Sequence, residues 1–256
     1  MNLIGTEFED GVLTITLRDE ENRNALSAEL TSELSQTLDE AESNSEVRVI
    51  VLTNSGRVFC AGADLSERSS HKEGKSTSKA VDPLEIFGRF RKSSKPYIGK
   101  ISGHCVAGGM GIAAAMDISI AIEEAKFGFT EVRIGVAPAI ISVLCLPKMR
   151  PSEASEAFLR GNRFSASEAA RMGLINAAVP ANVIDSAIQE IVSDIKAGGP
   201  EAIAAAKQLT LKVPHMQVDE ALTWTSELSA SLFKGEEAQE GMRAYLDKRP
   251  PSWMND

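Results

Sequence analysis

Leu13, Ile15 and Leu17 alternate with Thr14 and Thr16, and Asp10-Gly11 stands just ahead of them. Residues 6–17 are therefore predicted to form a β-hairpin that turns on Asp10-Gly11. The period then changes. Leu30, Leu34 and Leu38 recur at helical spacing behind Ser27, a good N-cap, which predicts a helix running to about Ser43. Val47 to Thr53 is a β-branched run stopped by Asn54-Ser55-Gly56, read as a buried strand. The polar stretch from Ser66 to Lys79 is rich in Ser, Lys and Gly and predicts a mobile loop, serving either as a lid or as a plain solvated linker. Tyr97 to Ile101 predicts a strand, a glycine-rich turn follows, and Gly108 to Met116 predicts a helix. Ile118 to Ile122 is another strand, and residues 167–172 are a short helix closed by Gly173. Gly198-Gly199-Pro200 marks the clearest boundary, because glycine ends helices and proline opens them. Beyond it, residues 201–249 are helical throughout, with Leu222, Leu228 and Leu232 among the apolar positions. The chain thus divides into a βα-alternating core, residues 1–197, and a helical appendage, residues 198–256.

The chain has 256 residues, enough to bury a sizeable core without disulfides or metals. With 43% hydrophobic and 25% charged residues it has the balance of a soluble globular protein. Its 27 basic and 36 acidic residues give a net charge of -9, which disfavours nucleic acid as a partner, and two Trp and two Tyr offer few stacking platforms. Cys60, Cys105 and Cys145 are odd in number and set in apolar surroundings, which points to a reducing, cytoplasmic setting. His71, His104 and His215 are scattered, so no metal site is expected. The start, MNLIGTEFEDG, lacks the features of a signal peptide, and no apolar stretch is long enough to span a bilayer.

Three segments carry candidate chemistry. In Phe59 to Leu65, FCAGADL, glycine lets backbone amides point into a cleft; the plainer reading is a strand-to-helix turn capped by Asp64. In Ile101 to Asp117, ISGHCVAGGMGIAAAMD, Gly108 and Gly109 open a helix whose first N–H groups are unpaired, although small residues also suit close packing on a sheet. Neither a Walker GK[ST] nor a dinucleotide GxGxxG is present. In Phe127 to Ser142, FGFTEVRIGVAPAIIS, Glu131 sits among apolar residues, where its pKa would rise and suit it to proton transfer; the alternative is a surface ion pair with Arg133.

Taken together, AGADL, GHCVAGGMGIAAAMDI and FGFTEVRIGVAP, in that order, resemble the enoyl-CoA hydratase/isomerase (crotonase) superfamily. Asn22-Arg23-Asn24-Ala25-Leu26 is similar to that family's early NAL element, and FSASEAARMG and EGMRAYLDKRPPSW are similar to its later ones, so the resemblance spans essentially the whole chain. It implies an α/β fold, a ClpP-like spiral of ββα units whose C-terminal helical region mediates trimerisation, giving a homotrimer or homohexamer. It implies an acyl-CoA thioester as substrate, with coenzyme A part of that substrate and no separate cofactor. The thioester oxygen would lie between the amides of Ala63 and Gly108, with Glu131 as general acid/base. The substrate and its CoA tail would follow Arg23, Ala25, Leu26, Ala61, Gly62, Asp64, Leu65 and Gly109. Lys248 or Arg249 from a neighbouring copy would join Arg23 at the phosphates, and the acyl chain would lie partly against residues 66–91 and 137–143.

The match departs from the family in one place. Hydratases commonly carry two glutamates, and Gly111 occupies the position of the first, which makes this a single-glutamate branch. Ala139 stands where dienoyl isomerases place a further acid. The expected activity is hydration of a 2-enoyl-CoA, in fatty-acid or branched acyl-CoA metabolism. The Δ3,Δ2-enoyl-CoA isomerase reaction is the second expectation, and a non-catalytic acyl-CoA binder the third.

Overall fold

A computed structural model of the chain describes residues 2–70 and 83–254. The predicted hairpin forms from β1 (Ile4–Glu9) and β2 (Val12–Leu17), and Asp10 and Gly11 both take positive φ at its turn. Helix α1 (Ala28–Ser43) follows, its Leu30 amide donating to the Ser27 hydroxyl at 3.2 Å. Leu30, Leu34 and Leu38 all face the core. Then come β3 (Val49–Asn54), β4 (Val58–Cys60), α2 (Leu65–Ser70) and α3 (Pro83–Lys92). The predicted loop at Ser66 to Lys79 is corrected at its start: residues 66–70 belong to α2, begun by the Asp64 side chain, while residues 71–79 lie outside the described residues.

The next unit contains β5 (Tyr97–Ile101), β6 (His104–Val106) and α4 (Gly108–Ala115). Strand β6 occupies what the sequence presents as a glycine-rich turn, since three residues of HCV are too short to show a period. The chain continues through β7 (Ile118–Ile122), β8 (Lys126–Gly128), a 3-10 turn (Thr130–Ile134), α5 (Ala139–Cys145), α6 (Pro151–Arg160) and β9 (Phe164–Ser165). Helix α7 (Ala166–Met172) ends on the left-handed Gly173 as expected, and β10 (Ala177–Val179) and α8 (Ile184–Ala197) complete the core.

The strands make two sheets. One has the order β1-β2-β3-β5-β7-β10, antiparallel only in its hairpin; the other has the order β4-β6-β8-β9, antiparallel only at β8-β9. In each consecutive pair, β3 then β4, β5 then β6, β7 then β8, the first strand joins the large sheet and the second the small one. This repeated change of sheet is the spiral of ββα units. It aligns the chain reversals that follow β4, β6 and β8 at one end of the small sheet, because those three strands run parallel.

Helices α9 (Pro200–Lys212), α10 (Val218–Lys234) and α11 (Glu236–Asp247) form the appendage, with proline opening α9 directly after Gly199. Lys207, buried, pins α9 to the core. Its Nζ lies 2.8 Å from Asp117 Oδ2, which also accepts the Tyr97 amide at 2.8 Å, and it donates to the Lys95 carbonyl. Arg48 holds both ends of the appendage, donating to the Gly198 and Trp253 carbonyls at 2.9 and 3.0 Å. No helix among the described residues is long and apolar enough to cross a membrane.

Candidate active site

Two turns at the ends of β4 and β6 press against each other. The first is prepared from upstream. Arg23 and Asn24 both have positive φ, and the Ala25 amide donates to Asn22 O at 3.1 Å, the marks of a type I′ turn. Asn24 tolerates this conformation and uses its side chain as a brace, donating to the Val58 carbonyl at 2.7 Å. That places Leu26 beside Ala63 in an isolated parallel bridge, with the Leu26 amide on Gly62 O at 2.7 Å. Gly62 has φ +90°, open to glycine and strained for other residues.

The second turn carries strain. Ala107 has φ 49° and ψ -124°, a conformation that an L-residue holds only when its surroundings impose it, at a cost of about 1–3 kcal/mol. Its amide donates to Gly128 O at 3.0 Å, and Gly108 then opens α4. A Cβ on Gly108 would lie 3.2 Å from Gly62 Cα and 3.6 Å from the Ala63 nitrogen, so the two amides are neighbours. Neither donates to a turn or cap carbonyl among the described residues. The N-terminus of α4 adds partial positive charge at the same place.

Gly128, which receives the Ala107 amide, stands three residues before Glu131, so the same hydrogen bond ties the acid-bearing 3-10 turn to the opening of α4. One carboxylate oxygen of Glu131, Oε2, is buried with no hydrogen-bond partner among the described residues. Burial raises its pKa above the ordinary value of 4.5, against a smaller opposing effect of its own amide. The alternative ion pair with Arg133 does not form: Arg133 Nη2 instead donates to the Arg160 carbonyl at 2.8 Å, at the end of α6. Cys145, at the end of α5, places its Sγ 3.7 Å from Met110 O in α4.

Gly111 is packed shut. A Cβ there would lie 2.5 Å from Ile141 Cγ2 and 3.0 Å from Phe87 Cζ. Both are buried and come from the two segments, 66–91 and 137–143, that the sequence assigns to the acyl pocket. The position of a second acid is thus taken by apolar side chains. Cys60, Cys105 and Cys145 are free, buried thiols beneath the turns, with Cys60 and Cys105 paired across β4-β6. Desolvation pushes the Cys60 thiol up to about 12, its hydrogen bond from Gly62 only partly opposing this.

The other sequence-assigned residues fall as follows. Ala25 and Leu26 are buried beneath the first turn, Ala61 donates to the Arg23 carbonyl at 3.1 Å, and Gly109 packs its Cα face on Cys60. Leu65 is exposed at the start of α2. Asp64 is the cap of the plainer reading: Oδ1 accepts the Ser66 hydroxyl and amide at 2.6 and 2.8 Å, and Oδ2 accepts Asn22 Nδ2 at 2.7 Å. The Ser66 hydroxyl, more than Asn22, holds its carboxyl below the usual carboxylate range. Arg249 is occupied within its own chain by Glu240, at 2.7 and 2.9 Å, while Lys248 and Arg23 are exposed. Sequence reasoning missed Ala107, Asn24 and the closing of Ile141 and Phe87 over Gly111. Asn24 lies within NAL, Ala107 within residues 101–117, and Ile141 and Phe87 within the segments 137–143 and 66–91, but the sequence assigned none of the four a role of its own.

The sequence model for enoyl-CoA hydratase/isomerase matches residues 7–256. The chain is 31% identical to enoyl-CoA hydratase EchA19 of Mycobacterium tuberculosis, over 95% of this chain and 93% of that one. It is 29% identical to a short-chain-enoyl-CoA hydratase of Clostridium acetobutylicum, over 97% and 96%. A crystal structure of an enoyl-CoA hydratase/isomerase from Marinobacter aquaeolei superposes with a TM-score of 0.91 at 28% identity, covering 99% and 100% of the two chains. With the staircase of strands between two sheets and the paired turns at its end, these matches show that the chain belongs to the enoyl-CoA hydratase/isomerase family.

Proposed function

We propose that this protein adds water across the 2,3 double bond of a 2-enoyl-CoA thioester. The observation that carries the reading is the buried, unpartnered carboxylate oxygen of Glu131 on the turn that the Ala107-Gly128 hydrogen bond ties to α4. Glu131 takes a proton from water as hydroxide adds to C3. The π electrons move through C2 onto the thioester oxygen, and the enolate so formed is held by the Ala63 and Gly108 amides. Glu131 then returns the same proton to C2, so one water supplies both hydrogen and hydroxyl and the carboxylate is regenerated. A fixed oxyanion donor contributes about 3 kcal/mol to the barrier and a placed general base about 10²–10⁴ in rate. The raised pKa of Glu131 brings it nearer the working pH, where a group that must both accept and donate is most effective.

The trial is Glu131→Gln with crotonyl-CoA, following loss of the enoyl absorbance. A rate reduced about 10²-fold or more is expected, and a near-wild-type rate would remove Glu131 from the mechanism. One observation favours a second reading. With Gly111 walled off by Ile141 and Phe87, a lone acid also suits proton transfer from C4 to C2 of a 3-enoyl-CoA. Mass spectrometry separates the two, because hydration adds the mass of water and isomerisation adds nothing.

Assembly as a trimer or hexamer is part of the same proposal. Leu222, Phe233, Tyr245 and Leu246 stand exposed on the appendage, and Ile134, Val136 and Val143 stand exposed beyond Glu131. Surface of this kind asks for a covering. Sedimentation of the purified protein as a monomer at micromolar concentration would exclude it. The three buried free thiols fit a reducing, cytoplasmic setting.

A further inference from the structure

Each of the two amides proposed to hold the thioester oxygen is the reverse side of a pinned carbonyl. All peptide bonds among the described residues are trans, and a trans peptide is planar, so its N–H points opposite to its C=O. The Ala63 N–H shares its plane with the Gly62 carbonyl, which accepts the Leu26 amide at 2.7 Å. The Gly108 N–H shares its plane with the Ala107 carbonyl, which accepts the Met110 amide at 2.8 Å. The two pins differ in kind. Met110 lies within α4, so the second donor is held by the helix it opens. Leu26 comes from far upstream, and its pairing with Ala63 is an isolated bridge outside the strands of either sheet. Gly62 has little else to fix it: its own amide rests on Cys60 Sγ at 3.4 Å, a weak acceptor.

What keeps Leu26 in place is a set of rungs between residues 22–26 and residues 58–64. The Arg23 carbonyl accepts the Ala61 amide at 3.1 Å, and Asn22 Nδ2 reaches Asp64 Oδ2 at 2.7 Å on the exposed side. Asn24 supplies the buried rung. It is 1% exposed, its Nδ2 donates to Val58 O at 2.7 Å and to Ser55 O at 3.4 Å, and its own amide donates to Asp19 O at 2.7 Å. Its Oδ1, by contrast, is buried with no partner among the described residues. An acceptor buried without a donor costs stability. The side chain is therefore engaged through its donor alone.

We infer that Asn24 is a positioning residue for the reaction. By fixing residues 22–26 against β4 it fixes the Gly62 carbonyl, and through that peptide plane it aims the Ala63 N–H. The inference rests on the Ala63 and Gly108 amides being the donors to the thioester oxygen. Such donors act by being fixed before charge develops, so a donor free to swing is lost more from the transition state than from substrate binding.

Asn24→Gly isolates the side chain, since glycine takes φ 51° without strain and leaves the turn intact. Asn24→Asp keeps the shape and puts an acceptor where the donor was. Melting curves set a temperature at which each variant is folded. Infrared spectroscopy of bound butyryl-CoA, labelled with carbon-13 at the thioester carbonyl, reads the donors without turnover, because the saturated ester has no double bond to hydrate. In the wild type the carbonyl stretch should lie below its frequency in water. In both variants it should move back toward that frequency and broaden. With crotonyl-CoA, kcat should fall about tenfold, less than the roughly 10²–10³ lost when an oxyanion donor is removed outright, while KM changes less than about threefold. A band in the folded variants identical to that of the wild type would overturn the inference, as would a fall in kcat no larger than the loss of folded protein. An unlowered wild-type band would overturn it together with the assignment of the two donors. A lowered wild-type band that both variants lose, in a protein that does not hydrate crotonyl-CoA, would uphold Asn24 and remove the hydratase reading alone.

Discussion

Gly62 and Gly108 stand against each other: a Cβ on Gly62 would lie 2.8 Å from the Gly108 nitrogen and 2.7 Å from Ala107 Cβ. The two turns that bring the Ala63 and Gly108 amides together therefore depend on a side chain that is missing. Gly62→Ala introduces it at φ +90°, where an L-residue is strained as well. The expected result is a loss of about 1–3 kcal/mol of stability and a fall in kcat/KM larger than that loss of folded protein explains. Chemical denaturation and turnover on one preparation measure both.

Glu131 sets activity against stability. Its folded pKa is raised, so the fold disfavours the charged form. Below the unfolded value, near 4.5, the group is neutral in both states and adds no penalty. As pH climbs through the window from there to the raised folded value, stability is lost, and above it the penalty is complete. Glu131→Gln should thus melt higher than wild type at pH 8, with the difference shrinking as pH falls toward 4.5. A variant less stable than wild type at pH 8 would contradict this account of the carboxylate.

Restoring a second acid by Gly111→Glu should fail. Its side chain must enter space held by Ile141 and Phe87, and overpacking of this kind costs about 1–3 kcal/mol. No gain in hydration is expected from the single change. Adding Ile141→Ala should recover part of the stability, because it removes the nearest obstructing atom, and a double-mutant cycle by thermal unfolding reads that coupling.

Lys207→Met breaks the pin between α9 and the core. Complete burial of such a pair puts the cost of losing one partner at 3–5 kcal/mol. Asp117 is 23% exposed and keeps the Tyr97 amide, so about 2 kcal/mol is expected here. Hydrogen exchange should show faster opening of α9 than of β5.

Much of this was legible in the sequence, for identifiable reasons. The hairpin and α1 carry a clear period, β3 an unbroken β-branched run, and each of these and the opening of α9 is marked by a strong boundary signal, Asp10-Gly11, Ser27, Asn54-Ser55-Gly56 or Gly199-Pro200. Strands β4, β6 and β8 have three residues apiece, too few to express alternation, and their inward positions are set by pairing with one another. Glu131 could be singled out because a carboxylate among apolar residues is conspicuous. The closing of Ile141 and Phe87 over Gly111 could not, since it draws on positions 54 residues apart that are plain hydrophobics on their own. Ala107 shows the limit most clearly, because alanine advertises nothing about a φ of 49°.

The thiols beneath the turns have a consequence for how the folded protein meets electrophiles. Cys60, Cys105 and Cys145 are fully enclosed and held protonated by desolvation, so thiolate is scarce at neutral pH and no sulfur is within reach of a reagent. Alkylation by iodoacetamide must wait for the core to open. Its rate becomes a clock for the breathing of the small sheet, through Cys60 and Cys105, and of α5, through Cys145.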